Sequence, residues 1–190
     1  MSRVTPTRGG PIARFAAWYS KRTYGKVPEP LKVTANHAGV TRAYCYFEWE
    51  LERATKVDER LKNLAETKAA ALAGCEWCLD IGAAISRKAG VTKEQLQDLP
   101  RYRESDHFDE RERLVLDLAT AMSSTPVQAD DALFDGLKDH FDDEQLVELM
   151  AAIAWENYRA RFNWAVDVTP QGFARGACAV PERVTQTAYG

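Results

Sequence analysis

Histidine, cysteine and strand-like alternation are all scarce in this sequence of 190 residues, and each shortage excludes a class of protein. Four cysteines are too few for the disulfide framework of a secreted protein of this length. The histidines His37, His107 and His140 are isolated, and no second Cys-x-x-Cys accompanies the one at residues 75–78, which disfavours a four-ligand zinc site. No segment alternates apolar and polar residues over the length of a strand. We therefore expect an all-α fold, no metal and a cytoplasmic location.

An excess of positive charge and a long apolar run are also missing. The net charge of −3 provides no basic field for a nucleic acid. No apolar run approaches the roughly 20 residues of a membrane-spanning helix. Arginine and lysine residues interrupt the segment from Ser2 to Tyr24, so it does not resemble a signal peptide. We expect neither a nucleic-acid nor a membrane partner.

The chain is predicted to divide into three parts. Residues 1–30 form an N-terminal arm with a short helix from Ile12 to Tyr24, which Gly25 and two prolines end. Residues 31–168 form a single helical domain, and residues 169–190 form an irregular C-terminal tail. A basic, aromatic arm of this kind most often lies across a neighbouring subunit.

The domain is predicted to begin with a helix from Leu31 to Ala54 that has a kink or short break near Gly39. One of its faces repeats apolar residues at three- and four-residue intervals and is expected to be buried. The members of this face are Tyr44, Phe47, Leu51 and Ala54. Tyr46 and Trp49 fall on the other side, which suggests a partner helix or subunit there.

Helix-start signals recur along the rest of the domain. Asp58 is a candidate N-cap for a helix rich in leucine and alanine. A capping box places Ser, Thr or Asp three residues before Glu or Gln. Three such boxes are predicted: Thr92 with Gln95, Asp109 with Glu112, and Asp142 with Gln145.

The sharpest chemical signal is the stretch Gly74-Cys75-Glu76-Trp77-Cys78 between two helical patterns. Gly74 is suited to end the first helix, so Cys75 lies at the start of the second, with Cys78 one turn further on the same face. The helix N-terminus stabilises a thiolate over a thiol. The pattern therefore favours a redox-active dithiol, against half of a zinc site or two structural core cysteines.

A second polar cluster lies on the last long helix. Asn157 and Arg161 are four residues apart and share a face. An arginine beside an asparagine can hold an acidic substrate or a carboxylate of the protein itself. A solvated or intersubunit polar face explains the same pattern equally well.

The sequence resembles the carboxymuconolactone decarboxylase-like family, which includes the AhpD-type alkylhydroperoxidases. The similarity lies in the run from Arg60 to Leu64, the alanine-rich helix that leads to the Cys75 and Cys78 pair, and the helix that ends at Gly90. The resemblance implies a small helical subunit that assembles into dimers, trimers or hexamers. It also implies that Cys78 attacks a small-molecule hydroperoxide, that Cys75 resolves the sulfenic acid to a Cys75–Cys78 disulfide, and that a dithiol donor reduces it. No other cofactor is expected.

Two positions depart from the family's peroxidase motif. The glutamate twelve residues before the first cysteine is Asn63 here, and the histidine four residues after the second is Gly82. Neither replacement can relay protons. Glu66, one turn beyond Asn63 on the same face, is the preferred substitute, and Glu48 or Glu156 are alternatives from other helices.

These observations lead to a thiol-dependent antioxidant oxidoreductase as the first hypothesis. We assign Cys78, Cys75 and Glu66 to catalysis. The residues expected to line the site or bind substrate are Trp77, Asn63, Asn157 and Arg161. The alternatives are a non-catalytic or redox-sensing helical oligomer with a structural cysteine pair, and a small-molecule lyase of the decarboxylase branch.

Overall fold

The computed structural model describes residues 2–174, which form nine α-helices and no β-strand. The predicted all-α class is confirmed. The helices are α1 (Pro11–Tyr24), α2 (Glu29–Thr34), α3 (Ala38–Arg53), α4 (Glu59–Leu72), α5 (Glu76–Lys88), α6 (Lys93–Asp98), α7 (Glu110–Ser123), α8 (Asp131–Lys138) and α9 (Asp143–Val166). A short 3-10 turn, Leu99–Arg101, follows α6. The predicted irregular tail lies outside the described residues from position 175 onward.

The helix starts follow from local side-chain capping. All three predicted capping boxes are present, at the N-termini of α6, α7 and α9. Asp58 caps α4 by accepting a hydrogen bond from the backbone N–H of Arg60 at 2.9 Å. Each box satisfies backbone N–H groups that a helix end leaves without an intrahelical partner.

The helix predicted from Leu31 to Ala54, with a kink or short break near Gly39, consists of two helices, α2 and α3. The break precedes Gly39, because His37 has an extended backbone and its ring Nδ1 accepts the N–H of Val40 at 3.2 Å. This imidazole cap starts a new helix at Ala38. Gly39 itself is helical.

Helix α4 lies at the centre of the bundle and packs against α5, α7 and α9. Its residues Leu64, Ala65 and Ala69 are completely buried. The small alanine side chains let the neighbouring helices approach closely, and this holds the start of α5 against the core.

The face of α3 that is predicted to be buried is only partly covered: Tyr44, Leu51 and Ala54 are half-buried, and Phe47 is exposed. Thr41 is the only buried side chain of α3, and Phe47 is exposed along with Tyr46 and Trp49. Helix α3 packs mainly on α1, α2 and α9, which leaves much of its aromatic surface uncovered.

Candidate active site

The cysteine pair occupies the junction between α4 and α5. Gly74 has a φ of 67°, the left-handed conformation that allows α4 to end abruptly. Cys75 is then the N-cap of α5, and its sulfur accepts the N–H of Cys78 at 3.2 Å. The predicted glycine stop and cysteine helix start are both present.

The two sulfur atoms lie 2.09 Å apart, at disulfide-bonding distance. Cys75 is 3% exposed and Cys78 is 4% exposed, yet their surroundings differ. Cys78 lines a large cavity, whereas Cys75 lies behind it and is not part of the cavity wall. Asn163 of α9 donates a hydrogen bond from Nδ2 to the sulfur of Cys78 at 3.4 Å.

The cavity has a volume of about 940 Å³ and is enclosed mainly by α1, α3, α4 and α5. Much of its wall is aromatic or aliphatic, with Phe15 and Tyr19 from α1, Trp49 from α3 and Ile81 from α5. A cavity of this size accommodates an organic molecule much larger than hydrogen peroxide.

One part of the wall is charged and centres on Arg159 of α9. Its guanidinium forms ion pairs with Glu48 of α3 at 3.0 Å, Glu66 of α4 at 3.3 Å and Glu156 of α9 at 2.6 Å. All four residues line the cavity. Three helices thus bring three carboxylates to a single cation.

The excess of carboxylates over guanidinium groups and the burial of these side chains shift their pKa values. Burial raises the pKa of Glu156 to about 7, against the opposing attraction of Arg159. Burial likewise raises the pKa of Glu66. Burial opposes the charge of Arg159, but attraction to Glu156, Glu48 and Glu66 holds its pKa well above the ordinary value. The cation is therefore permanent, and one carboxyl group is poised to hold a proton near neutral pH.

The two positions at which the relay residues of the resemblance are replaced both face the cavity. Asn63 is buried and its side-chain amide donates to the carbonyl oxygen of Glu59 at 2.8 Å. Gly82 leaves room beside the hydroxyl of Thr67, which would lie 3.5 Å from a Cβ at this position. Neither residue offers a group that titrates near neutral pH.

Trp77 also lines the cavity, and residues of the segment after α9 hold its side chain in place. Its indole N–H donates to the side-chain oxygen of Gln171 at 2.9 Å, and its ring packs edge-on against Phe173. The carboxylate of Asp80, one turn further along α5, accepts the backbone N–H of Gln171 at 2.8 Å. The segment after α9 therefore fixes the orientation of the tryptophan between the two cysteines.

Asn157 and Arg161 lie elsewhere on α9, and neither is part of the cavity wall. The amide of Asn157 donates to the hydroxyl of Ser123 on α7 at 3.0 Å. Arg161 is exposed and donates to the side-chain oxygen of Asn157. The structure thus brings Asn63, Glu66, Trp77 and Cys78 together but places these two residues apart from them.

Sequence reasoning did not select Asn163 or Arg159 as site residues. The helical spacing did carry a signal for Asn163. Glu156 and Asn163 are seven residues apart and therefore lie on nearly the same face of α9. Asn157 is about 100° around the helix from Glu156 and therefore lies on a different face.

Residues 2–174 contain neither a membrane-spanning helix nor a cluster of metal ligands. None of the described helices combines the length and the apolar character that a membrane span needs. Within the same residues, no group of three or more His, Cys, Asp or Glu side chains is arranged to hold a metal ion.

Comparison with known proteins places this architecture among characterised folds. The model of the carboxymuconolactone decarboxylase family matches residues 38–121. The uncharacterized protein YnjA of Escherichia coli is 34% identical over 173 residues, which cover 90% of this chain and 93% of YnjA.

Two solved structures have the same helical fold. The debrominase Bmp8 has a TM-score of 0.82 at 22% identity, covering 92% of this chain and 95% of Bmp8; a Bmp8 variant was solved with 2,3,4-tribromopyrrole. An uncharacterized peroxidase-related protein with an alkylhydroperoxidase AhpD core, from Ralstonia eutropha, has a TM-score of 0.78 at 20% identity, covering 90% of this chain and 94% of that protein. The family match, the long alignment with YnjA and the shared fold agree, and the chain belongs to the carboxymuconolactone decarboxylase family.

Proposed function

We propose that this protein is a thiol-dependent hydroperoxide reductase that uses Cys75 and Cys78 as its redox couple. The observation that supports this proposal is the asymmetry of the pair. Only Cys78 reaches the cavity, while Cys75 lies within bonding distance behind it. An attacking sulfur needs access to substrate, and a resolving sulfur needs access only to its partner.

The reaction proceeds in two steps. The thiolate of Cys78 attacks the terminal oxygen of the hydroperoxide, so that an S–O bond forms, the O–O bond breaks and an alkoxide leaves and takes up a proton. The thiol of Cys75 then attacks the sulfenic acid of Cys78; an S–S bond forms and water leaves. A hydroperoxide and two thiols thus give an alcohol, water and a disulfide, and an external dithiol returns the pair to its reduced form by disulfide exchange.

The carboxylates around Arg159 are suited to supply the proton. The family's relay positions are Asn63 and Gly82 in this chain, whereas Glu66 and Glu156 line the same cavity as Cys78. A carboxylic acid with a pKa near neutrality is an efficient donor to an alkoxide at neutral pH. Water in the cavity would complete the path, because Glu156 lies about 10 Å along α9 from the residue that contacts Cys78.

The wall of the cavity favours an organic hydroperoxide. Aromatic side chains such as Phe15 and Trp49 bind apolar groups, and hydrogen peroxide has no apolar group for them to contact. We therefore expect aryl or alkyl hydroperoxides to react faster than hydrogen peroxide.

Stopped-flow oxidation of the reduced protein tests this function, with the fluorescence of Trp77 as a reporter between the two cysteines. Cumene hydroperoxide should oxidise the pair rapidly and with saturation, and hydrogen peroxide more slowly. Oxidation by both at the rate of a free thiol would refute peroxidase activity and leave a dithiol exchanger or a structural pair.

A second candidate is the reductive dehalogenation of an aromatic compound. It is favoured by the aromatic cavity beside the cysteine pair and by the fold shared with a debrominase. An aryl bromide and two thiols would give the arene, bromide, a proton and the disulfide. Release of bromide from a brominated pyrrole by the reduced protein, without oxidation by cumene hydroperoxide, would favour this alternative.

A further inference from the structure

The helix N-terminus by itself favours the wrong sulfur as the thiolate. The backbone N–H of Cys78 donates to the sulfur of Cys75, which is the N-cap, at 3.2 Å. Negative charge is therefore stabilised at Cys75, which does not reach the cavity. A cavity-facing thiolate at Cys78 needs another donor.

Asn163 provides this donor. Its Nδ2 lies 3.4 Å from the sulfur of Cys78, and the residue is only 2% exposed. The surrounding cluster is apolar and includes Ala160 and Val166. A hydrogen bond from a buried amide to a charged acceptor is stronger in such surroundings than it is in water.

We propose that Asn163 is a catalytic residue that stabilises the thiolate of Cys78 by direct hydrogen bonding and so makes the cavity-facing sulfur the nucleophile. The proposal rests on the proposed thiol chemistry and adds the residue that determines which thiol reacts. An amide does not titrate, so its contribution persists at every pH at which the protein is folded. A histidine donor would lose its charge on passing neutrality.

The position of the amide is fixed by the end of α9. The backbone carbonyl of Asn163 accepts the N–H of Val168 at 3.2 Å where the chain leaves the helix. Asp167, in the left-handed conformation, makes this reversal. Since the side chain is buried and its backbone is tied into the helix terminus, the donor is held in place before any substrate binds.

Alkylation of the reduced protein by iodoacetamide tests the proposal without any peroxide. Rates are measured from about pH 5 to about pH 10, because the thiolate is the reacting form, and mass spectrometry identifies the modified cysteine. In the unaltered protein Cys78 should react first. Asn163→Leu removes the donor at similar volume, and the midpoint of the rate profile of Cys78 should rise by about one pH unit, a roughly tenfold slower reaction below the midpoint.

Two further variants separate this role from a merely structural one. Asn163→Asp keeps the shape but places an acceptor beside the sulfur, and it should raise the midpoint further than Asn163→Leu does. Asn157→Leu is the matched control, since Asn157 is a buried asparagine on the same helix that bonds to Ser123 instead. It should lower the stability but leave the alkylation profile unchanged. Urea unfolding and circular dichroism establish that each variant is folded, and Asn163→Asp decides alone if Asn163→Leu does not fold.

The proposal is overturned if both Asn163 variants keep the profile of the unaltered protein, or if Cys75 reacts first throughout. Failure of the peroxidase reaction is a separate result. An alkylation profile that shifts as expected in a protein that does not reduce peroxides would retain the role of Asn163 and refute the substrate class.

Discussion

Glu156 and Arg159 form an ion pair in which one carboxylate oxygen is used twice and the other not at all. Oε2 of Glu156 accepts hydrogen bonds from Nε of Arg159 at 2.7 Å and pairs with its Nη2 at 2.6 Å. Oε1 is buried and has no hydrogen-bond partner among residues 2–174. A buried carboxylate oxygen without a donor is costly while the group is charged, and a proton removes that charge. The geometry and the raised pKa of Glu156 therefore agree on a carboxyl group that holds a proton.

The first prediction concerns stability. The pKa of Glu156 rises from 4.5 to about 7 on folding, so the folded state binds this proton more tightly than the unfolded state does. The contribution is fully present below about pH 4.5 and is lost as the pH rises to about 7. Glu156→Gln, which mimics the protonated form, should reduce the fall in the urea midpoint between pH 5 and pH 8. Glu144→Gln is the control, because Glu144 pairs with Lys56 on the exposed surface and should alter the profile little. An unaltered pH profile in Glu156→Gln would contradict the assignment.

The second prediction concerns catalysis by the same group. If protonated Glu156 supplies the proton of the leaving alkoxide, kcat/KM for cumene hydroperoxide should decline as the pH rises through about 7. Glu156→Gln has no proton to give, so it should lower kcat/KM about 100-fold at pH 6 and abolish that declining limb. Oxidation kinetics from pH 5 to pH 9 measure both effects. Retention of the limb in Glu156→Gln would assign the proton to another group, with Glu66 as the next to be replaced.

The parts of the site that depend on neighbouring residues could be predicted from the sequence. Gly74 requires no partner far along the chain to end α4, and Cys75 and Cys78 are one turn apart on any helix that begins there. The capping boxes are equally local. Local patterns therefore located both thiols and most helix boundaries.

The parts that depend on distant helices could not be predicted in the same way. The contact between Asn163 and Cys78 joins positions 85 residues apart, and the carboxylates at Arg159 come from three helices. Periodicity shows that a helix has an apolar face but does not show what covers it. For this reason it predicted burial for Phe47, which is exposed in the single chain.

The exposed aromatic surface of α1 and α3 leads to a prediction of self-association. Phe15 and Trp18 are each 60% exposed and Tyr46 is 67% exposed, and exposed apolar patches of this kind commonly mark protein interfaces. We expect light scattering after size exclusion to give a dimer, trimer or hexamer. Trp18→Glu should dissociate it, because a charge would be buried at the interface.

Val127→Glu provides the matched control for this experiment. Val127 is also apolar and 62% exposed, but it is a single residue in the segment between α7 and α8. Single exposed apolar residues are normal on protein surfaces, and this variant should keep the assembly intact. A monomeric unaltered protein, or an assembly that Trp18→Glu leaves unchanged, would contradict an interface at α1.

The final prediction separates the roles of the two cysteines. Cys78→Ser should abolish turnover, because the remaining sulfur at Cys75 does not reach the cavity. Cys45 also lines the cavity, but burial and the nearby Glu48 raise the pKa of its thiol, which disfavours the reactive thiolate there. Cys75→Ser should instead permit a single oxidation that stops at the sulfenic acid of Cys78, because it removes the thiol at bonding distance from Cys78. Dimedone labelling followed by mass spectrometry measures this trapped acid. Labelling in Cys78→Ser rather than in Cys75→Ser would reverse the two assignments.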